Sequence, residues 1–435
     1  MRRRRIALIK LSSGGEAAYP LGLASLVAPL NEAGWEAVGC DTDFGDLHDI
    51  LQQISLGTLD AAGLGILSFQ MIEAASVIRR IKALAPSLPV IVGGAHPTLF
   101  PKETLFQSGA DIAIRGDGEN AIPLVLAHLF DGAPLPDGCA FRSGSDITVQ
   151  GEPCFERDLD RFGPLSRDLL PFKRYGHAYR SVRFPHASII TSRGCRYSCP
   201  HCPSPALQPS GFRSRSPLAV VQEMRKLAKD HSVRDFHFED DAFFTDPERI
   251  ADLADSLIKA PIPAIWELVN GVRPEQVPLS LLPELYASGC RRLALGVERV
   301  YENHRPHGEL WQTTERIRKI VDAAHGAGIS VTGYFVVGLP GSLPEEERKS
   351  LELSLSLGLD FAHYSPYHEI PGSRFANSQV ASSLSKEEAH RWARKAYRRF
   401  YLNSKQLARL SWELAGAPAL LPAIIHKSLR DVAGL

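Results

Sequence analysis

Three cysteines stand on one short stretch, Gly194-Cys195-Arg196-Tyr197-Ser198-Cys199-Pro200-His201-Cys202, with three residues and then two between them. Thiolates so spaced on one tight loop can hold three corners of a [4Fe–4S] cube and leave the fourth iron without a protein ligand. An open iron has no use in a structural cluster but suits one that binds a substrate. Spacing alone leaves two other readings open. A structural zinc ion takes a fourth Cys or His, and the nearest candidate, His201, lies between two of the cysteines, where chelation is cramped. An electron-transfer cluster needs a fourth cysteine, and Cys40, Cys139, Cys154 and Cys290 are distant in sequence.

A rigid frame has to carry this loop. Residues 187–191 are a short apolar run leading into the cysteines, and further runs of strand length follow at 235–239, 264–269, 292–297, 331–337 and 361–365. Helical patterns separate them at 218–229, 247–259, 281–287, 313–327 and 344–357. Six strand–helix units predict an open, partial (β/α)6 barrel, with chemistry at the C-terminal ends of the strands. Those ends read Phe238-Glu239-Asp240-Asp241, Asn270-Gly271-Val272-Arg273, Gly296-Val297-Glu298 and, after the fifth strand, Gly338-Leu339-Pro340-Gly341. Asp240, Asp241 and Arg273 also have an ordinary reading as helix caps or surface ion pairs.

The N-terminal third has a different organisation. Apolar runs at 6–11, 37–41, 62–68, 90–93 and 112–115 alternate with helical stretches such as 21–33 and 72–84. Continuous apolar strands between helices indicate a parallel sheet covered on both faces. The expected fold is α/β, flavodoxin-like or Rossmann-like, with a ligand beyond the carboxyl ends of the strands. Small residues crowd those ends, in Ser12-Ser13-Gly14-Gly15, Gly93-Gly94-Ala95-His96-Pro97 and Arg115-Gly116-Asp117-Gly118-Glu119. Glycine there lets a flat or anionic ligand approach the backbone, although such turns also occur without one.

The rest of the chain is less specific. Residues 131–185, broken by Pro, Gly and Asp, read as a connector with a strand or two. Residues 386–402 form a helical pattern with basic and aromatic side chains, and 414–429 a second amphipathic stretch. A helical cap over the barrel mouth is the favoured reading, and contact with a lipid headgroup surface the other. With 49 Lys+Arg against 49 Asp+Glu, the chain has no global pull toward nucleic acid or anionic membrane. Seven cysteines, three of them clustered, argue for a reducing cytosol rather than a disulfide framework. The Arg2-to-Arg5 opening is followed by an apolar run too short for a signal peptide, so the expected location is cytoplasmic.

The cluster motif before these units, behind this N-terminal pattern, resembles the class B, cobalamin-binding branch of the radical S-adenosylmethionine (SAM) enzymes. Further residues carrying the likeness are Pro20-Leu21-Gly22-Leu23, Gly93 to Thr98 and Gly116 to Glu119. The resemblance implies a cobalamin-binding domain (1–135), a linker (136–185), a radical SAM partial barrel (186–375) and a C-terminal helical region (376–435). It implies a [4Fe–4S] cluster on Cys195, Cys199 and Cys202, with SAM on the open iron. SAM would meet Tyr197, Glu239, Arg273, Glu298, Gly338 and Gly341. Cobalamin would meet Gly22, Ser68, Gly93, Gly94, His96, Gly116, Gly118 and Glu119. No catalytic side chain is identified.

Three departures are visible. Methionine-synthase-type domains carry a cobalt-ligating histidine after the first strand, whereas here Ser12 to Ala18 contain none, as is usual in class B. The Ser-x-Leu element of that type is Ser68-Phe69-Gln70 here, and the Glu that often follows the Gly-Leu-Pro-Gly turn is replaced by Ser342-Leu343-Pro344. The implied activity is C-methylation of an unactivated carbon, through a deoxyadenosyl radical and methylcobalamin. A cobalamin-binding cyclase or rearranging enzyme without net methyl transfer is the alternative. The implied partners are a small-molecule, peptide or lipid-like substrate and an external electron donor of flavodoxin or ferredoxin type. No nucleic-acid motif is present.

Overall fold

A computed structural model describes residues 2–14, 18–144, 146–175, 185–209, 211–260, 262–301, 311–377, 382 and 384–402. The chain divides into two compact units. One comprises Met1–Tyr179 with Ala206–Glu223, the other Arg180–Pro205 with Met224–Leu435.

The first unit is built on a seven-stranded sheet: β1 (Arg4–Lys10), β2 (Trp35–Asp41), β3 (Ala61–Gly65), β4 (Val90–Gly93), β5 (Ile112–Ile114), β6 (Cys139–Ser143) and β7 (Asp146–Gln150). Its order is β2-β1-β3-β4-β5-β6-β7. The first five strands pair in parallel in the flavodoxin-like order, and the reversal of strand order falls between β1 and β3. Ile6, Ala7, Leu8 and Ile9 are all fully buried, because helices cover both faces of a central parallel strand. The expected helix over 21–33 is two short ones, Leu21–Ala24 and Val27–Glu32. The segment read as a connector adds the antiparallel pair β6–β7 to the sheet. Gly144 at φ +65 begins the tight turn between them, and Ile147 and Val149 of β7 pack against the core.

The second unit has six parallel strands in sequential order: β8 (His186–Ile189), β9 (Asp235–Phe238), β10 (Ile265–Leu268), β11 (Cys290–Tyr301), β12 (Ser330–Val337) and β13 (Phe361–Pro366). Phe236, Phe238, Trp266 and Phe335 are buried large side chains, and Phe238 stacks on Trp266 with centroids 4.9 Å apart. The alternate positions Ser188, His237, Glu267 and Arg292 stand in register across four strands and give the sheet a polar face. The helix Lys386–Tyr401, started by a Ser385–Glu388 capping box, packs along β13. Its Tyr401 hydroxyl bonds both the N–H and the carbonyl of Ala362, which protects that edge from further pairing. The amphipathic stretch at 414–429 lies outside the described residues. Among the described residues no helix is long and apolar enough to cross a membrane.

Candidate functional site

The three cysteines lie on the loop after β8, half-buried and in no disulfide. Asp240 and Asp241, at the end of β9, fix the start of this loop. Asp240 accepts from the Thr191 amide (3.1 Å) and hydroxyl (2.8 Å) and from Ser192 Oγ, while Asp241 accepts from the Gly194 amide at 3.1 Å. Neither is a helix cap or a surface pair, so the sequence understated both. Burial raises the Asp240 carboxyl pKa, partly offset by these hydrogen bonds. Arg249 Nη2 closes the arrangement on the Thr191 carbonyl at 2.8 Å. Further along, Phe375 N donates to Pro200 O at 2.9 Å and Arg374 donates to Ser198 O.

Burial raises the Cys195 thiol pKa and pushes that of Cys202 up to about 11. Thiols so placed release their protons when a metal takes them as thiolates. Cys202 Sγ accepts from Ser204 N at 3.5 Å, and Cys199 Sγ from Arg273 Nη1 at 3.1 Å. Among the described residues no three His, Cys, Asp or Glu side chains gather as ligands of one metal ion would. Three thiols on one fixed loop, two of them with N–H donors, fit the wider corners of an iron–sulfur cube.

Of the remaining strand ends of this unit, those carrying Arg273 and Glu298 come against the cysteine loop. Arg273 lies 4.2 Å over the Tyr197 ring as well as against Cys199, so Tyr197 carries the guanidinium. Glu298 sits in an irregular stretch of β11 at φ +55, with Oε1 3.5 Å from His201 Nε2. Glu239 accepts from Ser188 Oγ. Gly338 (φ +84) and Gly341 (φ +78) give the turn after β12 a backbone that other residues rarely adopt. An added Cβ on Gly338 would also meet Ala389 Cβ and Ser382 Oγ at 3.3 Å. An open cluster corner, a cation beside it and a glycine turn fit the amino-acid and adenosine ends of SAM.

In the first unit, hydrogen bonds stitch the loops after β1, β2, β3 and β4 together. Gln70 Nε2 donates to Ser12 O at 2.8 Å, Ser12 Oγ to Asp43 at 2.6 Å, and Thr42 Oγ1 to Glu73 at 2.7 Å. Ser68 Oγ meets His96 Nδ1 at 3.0 Å, and His96 N donates to Ile66 O at 3.1 Å. Burial lowers the His96 pKa, and its Nε2 is buried with no hydrogen-bond partner. Gly94, at φ +100, lies so close to Ile66 that a Cβ would stand 3.2 Å from its backbone. Gly93 ends β4 beside these residues, and a Cβ on Gly22 would meet open space.

The fifth loop is different. A Cβ on Gly116 would stand 2.2 Å from the Cys154 carbonyl, so the chain's own backbone is what requires glycine there. Gly118 packs under Leu26, and Glu119 is 3 % exposed. The structure thus gathers Ser68, Gly93, Gly94 and His96, and accounts for Gly116, Gly118 and Glu119 by internal packing. At the switch point, glycine backbone, the unpartnered His96 nitrogen and the exposed Leu67 and Phe69 (46 % and 66 %) suit a large, mostly apolar ring with polar edges.

Comparison with known proteins agrees. Residues 9–126 match the B12 binding domain and residues 189–353 the radical SAM superfamily. The chain belongs to the class B, cobalamin-binding radical SAM enzymes. Its cofactors are a [4Fe–4S] cluster, SAM and cobalamin. It is similar to an uncharacterized methyltransferase of Pyrococcus horikoshii, 23% identical over 430 residues covering 92% of each chain. It is also similar to the anaerobic magnesium-protoporphyrin IX monomethyl ester cyclase of Rubrivivax gelatinosus, 23% identical over 365 residues, which cover 81% of this chain and 65% of that one. The fold matches that of TsrM, a radical SAM methyltransferase from Kitasatospora setae, with TM-score 0.72 and 20% identity over 85% of this chain and 77% of that chain.

Proposed function

We propose that the protein is a cobalamin-dependent radical SAM C-methyltransferase acting at an unactivated carbon. One observation carries the reading: a half-buried three-thiol loop with the Arg273 cation at Cys199, in a chain that also has a B12-binding domain. Bound together, the cofactors supply hydrogen abstraction and delivery of a methyl group, chemistry that no side chain here can perform.

The chain's own residues bind and orient. Cys195, Cys199 and Cys202 hold three irons. Arg273 faces the SAM carboxylate, for which its guanidinium fork is suited. Glu298 receives the amino group or a ribose hydroxyl, and Gly338 and Gly341 shape the turn against the adenosine. Ser68, Gly93, Gly94 and His96 line the cobalamin site, with His96 neutral and able to donate or accept at Nε2. A small molecule, a peptide or a lipid-like compound is the substrate class, and a flavodoxin- or ferredoxin-type protein supplies the electron.

The test is anaerobic preparation with cobalamin, metal analysis, and product analysis on candidate substrates. About four irons and about one cobalt per chain are expected. Equal yields of adenosylhomocysteine and deoxyadenosine support methylation. Deoxyadenosine alone would favour the second reading, ring formation without methyl transfer, which the likeness to the cyclase supports. Iron without cobalt would remove cobalamin from the reaction.

A further inference from the structure

We infer that Glu347, held by Arg299, is a positioning residue for the SAM-binding glycine turn; the inference rests on reading the 338–341 turn as a SAM contact. Glu347 lies on the helix Pro344–Ser354, and Arg299 lies on β11. Their side chains are 1% and 2% exposed and form an ion pair. Glu347 Oε1 also accepts the Gly338 amide at 3.0 Å and lies 2.9 Å from Ser342 Oγ. Arg299 Nη2 donates to the Leu339 carbonyl at 3.1 Å as well as to Glu347. Ser342 Oγ is 2.6 Å from the same carbonyl.

One buried ion pair therefore grips the turn at Gly338, Leu339 and Ser342. The Gly338 N–H points inward to Glu347, so this residue contributes shape to the site and not a donor. A carboxylate here also resolves the departure seen in the sequence. Where a Glu often follows the turn the chain has Ser342-Leu343-Pro344, and the carboxylate comes instead from the next helix to meet the Ser342 hydroxyl. A buried ion pair is a costly way to stabilise a fold, since apolar residues of similar volume do as well or better. Its value lies in fixing two left-handed glycines before the ligand arrives, which removes an ordering cost from binding.

The test uses the reconstituted holoenzyme and two variants, Glu347→Gln and the apolar double variant Arg299→Met/Glu347→Leu. SAM dissociation constants, iron content and melting midpoints are measured. The double variant is expected to melt a few degrees lower, because the Gly338 amide loses its buried acceptor, yet to retain its iron and bind SAM roughly five- to tenfold more weakly. Glu347→Gln should raise KM for SAM with kcat at saturation unchanged. Unaltered SAM affinity in the iron-loaded double variant would overturn the inference. So would a drop in melting midpoint without a change in affinity per loaded chain, since that assigns the pair to folding alone. Gly341→Ala separates the underlying reading: if it leaves SAM affinity intact, the turn itself is not a SAM contact.

Discussion

Arg273 Nη1 and Cys199 Sγ lie 3.1 Å apart, with the same guanidinium 4.2 Å over the Tyr197 ring. One cation thus touches the middle cysteine of the motif and the aromatic residue between the first two. Arg273→Ala is expected to leave iron content near the wild-type value and to raise KM for SAM roughly 10- to 100-fold, the size of a lost charge-assisted hydrogen bond. Arg273→Lys should recover only part of this, because an ammonium lacks the fork and stacks poorly. Metal analysis beside SAM-cleavage kinetics checks both. Loss of iron in Arg273→Ala would place the residue with the loop rather than with SAM.

Glycine 22 allows a clean separation of stability from binding. It lies in the helix Leu21–Ala24, and a Cβ there meets nothing within 4 Å. Gly22→Ala should therefore stabilise the cobalamin-free protein by about 0.5–1 kcal/mol. If the corrin ring lies over this helix, the same methyl group weakens cobalamin retention. The measurement is the melting midpoint of the cobalamin-free form beside the cobalt retained after gel filtration. Gly116→Ala should behave oppositely, losing more than about 2 kcal/mol through strain and overlap with Cys154.

Much of this site was legible in the residues. The cysteine spacing located the loop, and strand-length runs set between helical patterns located all six barrel strands, even where alternate positions such as His237 and Glu267 are polar. Side chains that act through long-range hydrogen bonds were not legible. Asp240 and Glu347 look like ordinary surface acids in sequence, and only folding buries one against Thr191 and the other under Gly338. Gly116 has a structural cause the sequence could not show. Its glycine signal is real, but the crowding group is the carbonyl of Cys154, 38 residues away in sequence. The β6–β7 hairpin was read only as a strand or two within the connector, because two five-residue strands are too short to show that they extend the sheet.

Asp43 ties the loop after β1 and has a pH signature. Burial acts to raise its pKa, but hydrogen bonds from Lys10, Ser12 and Ser13 outweigh it and hold the carboxyl below the ordinary 3.8. A depressed carboxyl contributes stability that is complete above the unfolded value and lost as pH falls through the lower folded one. The protein should therefore lose stability on acidification below about pH 4. Asp43→Asn should flatten that acid limb and cost about 1 kcal/mol at neutral pH. Denaturant melts of both proteins between pH 3 and 7 test this, and an unchanged acid limb in the variant would remove Asp43 from the account.

On the proposed reading, the loop after β3 lies beside the corrin ring, and its hydrogen bonds fix which side chains can reach cobalt. Ser68 bonds His96, and Gln70 both caps the Leu67 amide at 2.9 Å and reaches Ser12 O. The residues between them, Leu67 and Phe69, face outward on a fixed backbone. The described residues of the loops after β1 and β3 include no histidine, and His96 of the next loop, bonded through Nδ1 to Ser68, reads as a polar wall of the pocket rather than a cobalt ligand. The reduced, cobalt(II) form bound to this protein should show no protein nitrogen splitting in its electron paramagnetic resonance spectrum. Phe69→His should introduce a three-line splitting, and cobinamide, which lacks the nucleotide base, is the corrinoid to use so that the base cannot supply the nitrogen. A three-line pattern already present in the wild-type protein with cobinamide would mean that a protein histidine reaches cobalt. Its absence in Phe69→His, with cobinamide bound, would place Phe69 away from the metal.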